Sequence, residues 1–239
     1  MPLTIKLKQR KEVAAGTMAF HFSKPSDFTF VPGQAGDFVL PNPPETDAEG
    51  NKRSFSFASA PYEDDLVIAT RMRDTAFKRS LKIIPLGAEL VMDAPWGELT
   101  LHQDTNVPAV FLTGGIGITP VRSIVLQATR DRLSQRLILF YSNHRPEDAA
   151  FLQDFNTAQK ANPNFTLVAT MTKMEKSSQA WHGKTGLINQ AMLAETIGDL
   201  RLPIYYISGP PQMVGAMQSM LTQAGVNSAN VRAEEFSGY

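Results

Sequence analysis

The chain has 239 residues, of which 43% are hydrophobic and 19% charged, a balance typical of folded globular domains that argues against extended disorder. Lysine plus arginine equals aspartate plus glutamate at 23 each, so no overall field draws the chain to nucleic acid or to an anionic membrane surface. With no cysteine, disulfides, thiolate zinc sites and a cysteine-held iron-sulfur cluster are excluded within the sequence.

The amino terminus, MPLTIKLKQRKEV, has no apolar signal core, and no stretch approaches the roughly eighteen apolar residues of a membrane span. A cytoplasmic protein with no membrane span is therefore expected, and a monomer with no nucleic-acid partner is taken as the starting expectation. His21, His102, His144 and His182 are scattered without ligand spacing, so no metal site is expected.

The first hundred residues read as short strands. Leu3 to Lys8, Met18 to Phe22 and Ser54 to Phe57 alternate apolar and polar residues, and Gly36 to Leu40, Leu66 to Met72, Glu89 to Asp93 and Leu99 to His102 add further candidates. Turn signals separate them at Val31-Pro-Gly, Pro41-Asn-Pro-Pro, Pro61, Leu86-Gly and Pro95-Trp-Gly. Many short strands with almost no helix predict an antiparallel barrel over residues 1–103. Two segments interrupt it. Asn42 to Lys52, NPPETDAEGNK, reads as a polar loop in solvent, and Thr75 to Ile84 reads as a short amphipathic helix capped by Asp74 or Thr75.

From residue 104 onward the period changes. Strands at Ala109 to Thr113, Leu137 to Ser142, Phe165 to Thr170, Ile204 to Ser208 and Val231 to Glu234 alternate with helices at Pro120 to Leu133, Pro146 to Lys160, Ile188 to Ile197 and Gln212 to Ala224. Such alternation predicts a parallel sheet with helical crossovers. The segment Lys173 to Lys184 has no clear pattern.

Two turns in this half carry chemistry. In PAVFLTGGIGITP, residues 108–120, a buried strand ends in Gly114, Gly115 and Gly117, and a helix restarts with Thr119 as the expected N-cap and Pro120 at N1. Glycines admit positive φ and close ligand approach, and a helix N-terminus attracts an anion such as a pyrophosphate. Ser208-Gly-Pro-Pro-Gln-Met-Val repeats this strand-turn-helix logic. In a doubly wound sheet, ligands lie beyond the carboxyl ends of the strands where strand order reverses, so both turns face one dinucleotide if their strands are neighbours there. Ser142, Asn143, His144 and Arg145 follow the second strand, where such folds meet the adenosine ribose. Arg145 either pairs with a 2′-phosphate or is simply solvated, which leaves NADH and NADPH both open.

Arg53-Ser-Phe-Ser-Phe-Ala-Ser resembles the R-x-[YF]-S-x-x-S flavin motif of the ferredoxin-NADP reductase family. With GGIGITP, ISGPPQMV and the terminal EEFSGY, the resemblance runs through nearly the whole chain in the family's order. It implies two domains, an antiparallel six-stranded β-barrel that binds FAD (residues 1–103) and a doubly wound parallel-sheet domain that binds NAD(P) (residues 104–239). It further implies that Arg53 meets the flavin pyrophosphate, that Ser54 and Phe55 contact the flavin, and that Ser56 offers a hydroxyl near flavin N5. By the same resemblance Thr70, Arg71 and Met72 contact the flavin through backbone, and Ala76, Phe77 and Lys78 give N–H groups to the pyrophosphate. Thr113, Gly114, Gly115, Ile116, Gly117, Thr119 and Pro120 form the dinucleotide loop, closed by Gly209, Pro210 and Met213. Phe236 and Tyr239 match positions that cover the flavin, although a terminal tyrosine also reads as a frayed end.

The sequence departs from the family pattern in two places: Phe55 replaces the common tyrosine, and Ser208 stands where many relatives carry cysteine. The activity implied is hydride transfer from NADH or NADPH to bound FAD across a domain cleft, with Ser56 and Tyr239 as the catalytic residues. Electrons then pass to a separate acceptor such as a ferredoxin, a flavodoxin, an oxygenase component, a quinone or a small molecule. The alternatives are a flavin or ferric reductase that uses free flavin, and a non-catalytic electron-transfer subunit.

Overall fold

The computed structural model describes residues 2–236. Its first half contains β1 (Leu3–Ala14), β2 (Thr17–Ser23), β3 (Ala35–Val39), β4 (Lys52–Ser56), β5 (Asp65–Arg71), the helix α1 (Ala76–Ile83) and β6 (Glu89–Trp96). The strands form one sheet in the order β4-β3-β6-β1-β2-β5, with every pair antiparallel. Alternate side chains fill its interior: Ile5 and Leu7, Phe20 and Phe22, Leu66 and Ile68, Leu90 and Met92 are all buried in one apolar cluster. The two edges of the sheet meet just past β4. There Ala58 and Ser59 donate their N–H groups to the Val67 carbonyl of β5 at 2.8 and 3.4 Å, and Val67 N–H donates to Ser59 Oγ at 2.9 Å. This closure makes the six-stranded sheet the expected barrel.

The second half contains β7 (Ala109–Gly114), a 3-10 turn (Gly115–Gly117), α2 (Ile118–Arg130), β8 (Leu137–Asn143), α3 (Leu152–Ala161), β9 (Phe165–Met171) and β10 (Lys184–Thr185). It ends with α4 (Gln190–Ile197), β11 (Ile204–Gly209), α5 (Pro211–Gln223) and β12 (Val231–Glu235). The sheet order is β10-β9-β8-β7-β11-β12, and all pairs are parallel. Successive strands run outward from β7 to β10, and then the chain returns to place β11 on the other side of β7. That reversal is the switch point of a doubly wound sheet. Every residue of β7 is buried, as expected of a central strand covered on both faces.

The compact units are discontinuous in sequence. One comprises Met1–Thr100 with Thr119–Gln127, and the other Leu101–Ile118 with Ala128–Tyr239. Within the first unit, Arg122 of α2 donates to the Ala58 carbonyl at 2.7 Å and to the Glu63 carboxylate at 2.9 and 3.2 Å.

Several elements differ from their sequence expectation for identifiable reasons. Strand β1 runs on to Ala14 although QRKEV lacks alternation, because the turn at Gly16 (φ 64°) folds β2 back along it. No strand forms at Leu99 to His102: Thr100 N–H turns back to the Glu98 carbonyl, and His102 N–H donates to Tyr206 Oη. Strand β6 continues through Pro95 to Trp96, since a register shift opposite Ala35–Asp37 accommodates the missing N–H. The helix α2 starts at Ile118, so Thr119 lies inside its first turn and is not the N-cap. The helix expected over Pro146 to Lys160 is broken into a 3-10 turn (Pro146–Asp148) and α3 by Phe151 in the left-handed region (φ 60°).

The loop Asn42 to Lys52 is largely exposed as expected, but it is not simply solvated. Glu45 binds Arg79 at 2.6 and 2.7 Å, and Asp47 accepts the Ala76 N–H at 3.0 Å, so the loop is fastened to α1.

Ser59→Ala tests the barrel closure. It strands the buried Val67 N–H and is expected to lower stability by about 1–3 kcal/mol in urea unfolding, whereas an unchanged midpoint would show that Ser59 does not hold the closure.

Candidate cofactor-binding sites

At the switch point Thr113 of β7 pairs in register with Ser208 of β11, so the turns that follow these two strands lie side by side. They approach closely. A Cβ on Gly117 would stand 2.4 Å from the Ser208 carbonyl oxygen and 2.7 Å from Gly209 N, and Ser208 Oγ donates to the Gly117 carbonyl at 2.8 Å. A Cβ on Gly114 would meet Met213 Sδ at 2.3 Å, a contact that a flexible methionine can relieve more easily than backbone can. Gly115 needs its positive φ of 55° to make the turn into α2. The three glycines therefore serve different ends: two let the paired turns pack together, and one lets the chain bend. Tyr141 Oη contacts the Gly115 carbonyl at 3.3 Å and the Ala150 carbonyl at 3.1 Å. From the other side, Phe236 N–H donates to the Gly209 carbonyl at 2.9 Å.

The neighbouring strand β8 ends at Asn143. Its side chain is buried, and neither its amide nitrogen nor its amide oxygen has a protein partner. Arg145, two residues on, is engaged by Asp148 through two hydrogen bonds of 2.9 and 2.8 Å, a fork that keeps the guanidinium charged. Thr113 is buried, with its hydroxyl 3.4 Å from the Phe140 carbonyl.

In the first unit Arg53, Ser54, Phe55 and Ser56 follow one another along β4. Arg53 and Phe55 share a face of the strand, and both meet α1: the Arg53 guanidinium lies 5.3 Å over the Phe77 ring, and the Phe55 and Phe77 rings are 6.0 Å apart. Lys78 Nζ donates to the Arg71 carbonyl at 2.8 Å. Thr70, Arg71, Met72, Ala76, Phe77 and Lys78 thus gather with Arg53 and Phe55 in one corner. That corner gathers Arg53, Arg73 and Lys78. Burial first, then the charges of Arg73 and Arg53, push Lys78 down to about 8. Ser54 projects to the opposite side of the strand and gives its hydroxyl to Asp37 at 2.6 Å, while Ser56 is buried at the strand end. Tyr239 lies outside the described residues.

Residues 111–219 match the family model described as the oxidoreductase NAD-binding domain. The whole fold superposes on a ferredoxin NADP+ reductase from Neisseria gonorrhoeae with a TM-score of 0.78 at 21% identity, covering 98% of each chain. The chain has a ferredoxin-NADP reductase-like fold, whose second half carries the match to the oxidoreductase NAD-binding model. A cytochrome P450 reductase of Amycolatopsis is similar at a TM-score of 0.83 and 21% identity, over 99% of this chain and 70% of that one. In sequence, the chain is 29% identical over 201 residues to one component of the Na(+)-translocating NADH-quinone reductase of Pseudoalteromonas atlantica. That match covers 78% of this chain and 49% of the relative, so the chain spans about half the length of the curated relatives it matches.

A ferredoxin-NADP reductase-like fold implies a flavin and a nicotinamide dinucleotide, and the residues present fit both. Arg53 and the Ala76 N–H grip one anion, the Asp47 carboxylate, so the start of α1 offers donors of the kind a phosphate oxygen takes. In the NAD-binding domain the unpartnered Asn143 amide, at the carboxyl end of the strand beside β7, supplies a donor and an acceptor for a ribose or an adenine edge. Among the described residues no helix is long and apolar enough to cross a membrane. Nor does any group of histidine and carboxylate side chains among them suit a metal ion.

Two residues near these sites were not singled out from the sequence. Asp47 sits in a loop whose composition suggests only solvation. Glu234 of β12 pairs in register with Ser208, and burial raises its carboxyl above the usual range. A carboxylate in the last strand of a parallel sheet, next to a switch-point strand, is the sequence signal that would have found Glu234.

Gly117→Ala presses a methyl group onto Ser208 backbone and is expected to cost about 1–3 kcal/mol of stability while weakening dinucleotide binding. Gly114→Ala, opposed by a movable methionine, is expected to cost less. Urea unfolding and NADH titration of both variants test this order, and equal effects would contradict the assignment of the rigid contact to Gly117.

Proposed function

We propose that the chain is a flavin-dependent oxidoreductase that passes hydride from NADH to FAD and hands the electrons to a separate acceptor. The observation that carries this reading is the pairing of the Gly114–Gly117 turn with the Ser208–Pro210 turn at the sheet's switch point, inside a segment that matches an oxidoreductase NAD-binding family. Residues 1–103 form the FAD-binding part of the proposal, and residues 104–239 the NAD(P)-binding part.

In the flavin site, Arg53 and the amides of Ala76, Phe77 and Lys78 hold the phosphates, because a guanidinium fork and a helix N-terminus both favour anionic oxygens. Phe55 lies against the ring or the ribityl chain, the backbone of Thr70, Arg71 and Met72 fixes the ribityl edge, and the Ser56 hydroxyl orients the ring by a hydrogen bond. Bound FAD supplies the capacity to accept a hydride and to release its electrons singly. In the dinucleotide site, Gly115, Ile116 and Gly117 present backbone at the start of α2, with Thr119 and Pro120 in its first turn, and Gly209, Pro210 and Met213 form the other wall. The work of the protein is positioning, since a well-oriented approach of about 3 to 3.5 Å removes much of the barrier.

NADH is preferred to NADPH in this reading. Arg145, the cation placed for a 2′-phosphate, is already neutralised by Asp148, and the curated relatives carry NADH in their names. The acceptor is a quinone, a redox protein such as a ferredoxin or an oxygenase component, or a small molecule. In this reading the chain works in the cytoplasm as a monomer that meets its acceptor transiently.

Purified chain incubated with FAD is expected to take up the flavin and to reduce ferricyanide with a kcat/KM for NADH at least about tenfold above that for NADPH, or ~1.4 kcal/mol. Ser56→Ala is expected to lower kcat about tenfold with little change in FAD affinity. Failure to bind FAD would overturn the flavin reading, and equal use of NADPH would overturn the role given to Arg145 and Asp148.

A further inference from the structure

The loop between β3 and β4 carries a carboxylate at every second position, Glu45, Asp47 and Glu49, and each is placed on a cationic or N–H donor around the start of α1. Glu45 takes the Arg79 guanidinium with both oxygens. Asp47 Oδ2 accepts the Ala76 N–H at 3.0 Å, and its Oδ1 accepts from Glu49 N–H at 3.0 Å and faces Arg53 Nη2 at 3.4 Å. Glu49 Oε2 lies 2.8 Å from the same Arg53 nitrogen. The Ala76 N–H, more than any other neighbour, holds the Asp47 carboxyl below its usual range. Arg53 also donates to the Glu49, Gly50 and Lys52 carbonyls, so the loop wraps the guanidinium.

The donors engaged by Asp47 are those the proposed function assigns to the flavin phosphates. One carboxylate cannot share the Ala76 N–H and the outer edge of Arg53 with a phosphate oxygen, and its charge repels a phosphate brought nearby. The Asp47 side chain is one-third exposed and stands on a loop otherwise largely in solvent, so the contact can open without disturbing the barrel core.

We propose that Asp47 is an internal competitor for the flavin phosphate site, so that a flavin nucleotide must displace it and is bound as an exchangeable ligand rather than a permanent group. This rests on the flavin reading of Arg53 and α1 given above. A surface carboxylate held by one helix N-terminus and one arginine favours the closed loop by about 3- to 10-fold, and the apparent affinity for a phosphate-bearing flavin falls by the same factor. Riboflavin, which has no phosphate, escapes the competition.

The test is a fluorescence titration of the flavin-free full chain with FAD, FMN and riboflavin, for the native protein, Asp47→Asn and Asp47→Ala. Asparagine can still accept the Ala76 N–H, so the Asn variant keeps the loop fastened to the start of α1 should the Ala variant unfold. Asp47→Ala is expected to tighten FAD and FMN by about 3- to 10-fold, Asp47→Asn is expected to tighten them by less because only the charge is removed, and both leave riboflavin unchanged. Unchanged or weaker FAD and FMN binding, or an equal gain for riboflavin, overturns the competitor role while leaving the flavin site intact. If none of the three chains binds FAD, the flavin reading itself falls, and the competitor role falls with it.

Discussion

The second unit is arranged around one backbone approach, Gly117 against the Ser208 carbonyl. It exists because β11 returns to pair with β7 on the side away from β8, which sets two strand-to-helix turns next to each other at the carboxyl edge of the sheet. Any side chain at residue 117 would push the turns apart. With glycine there, the start of α2 and the start of α5 stand beside one crevice, and the Ser208 hydroxyl ties the turns together. The crevice proposed for the dinucleotide is therefore a consequence of strand order, and the glycines are the condition that lets that order close.

The first unit reaches a comparable result by other means. Its barrel closes through Ala58 and Ser59 on Val67, directly after the strand that carries Arg53 to Ser56, which itself pairs with β3 along one edge. The short helix α1 then packs Phe77 between Arg53 and Phe55. Burial first, then two neighbouring arginines, depress Lys78. In this structure the loop's own carboxylates engage Arg53.

Features that depend on local chemistry were legible in the sequence. The buried run Ala109 to Thr113, the Gly-Pro-Pro turn, and a cap of α1 at Asp74 or Thr75 follow from side-chain pattern and turn residues, and the structure selects Thr75, whose hydroxyl accepts the Lys78 N–H. The neighbour relation of β7 and β11 was only a condition of the sequence reading, and the sheet order meets it. What the sequence did not disclose depends on partners remote in the chain. The extension of β1 is decided by β2, the loss of a strand at Leu99 to His102 by the Tyr206 hydroxyl, and the fastening of the 42–52 loop by Arg79 and Ala76. Likewise, the reason for glycine at residue 117 is a contact with residue 208, whereas local reading assigned it to ligand approach.

The central claim, that these two sites serve a single hydride transfer, is tested most directly under anaerobic conditions. FAD-loaded chain is mixed in stopped flow with NADH bearing deuterium at either face of the nicotinamide C4. The account predicts that the flavin colour bleaches in a single turnover, without added acceptor, and that deuterium at one face alone slows the bleaching. Flavin that stays oxidised in the presence of bound NADH, or bleaching indifferent to deuterium at both faces, would contradict it.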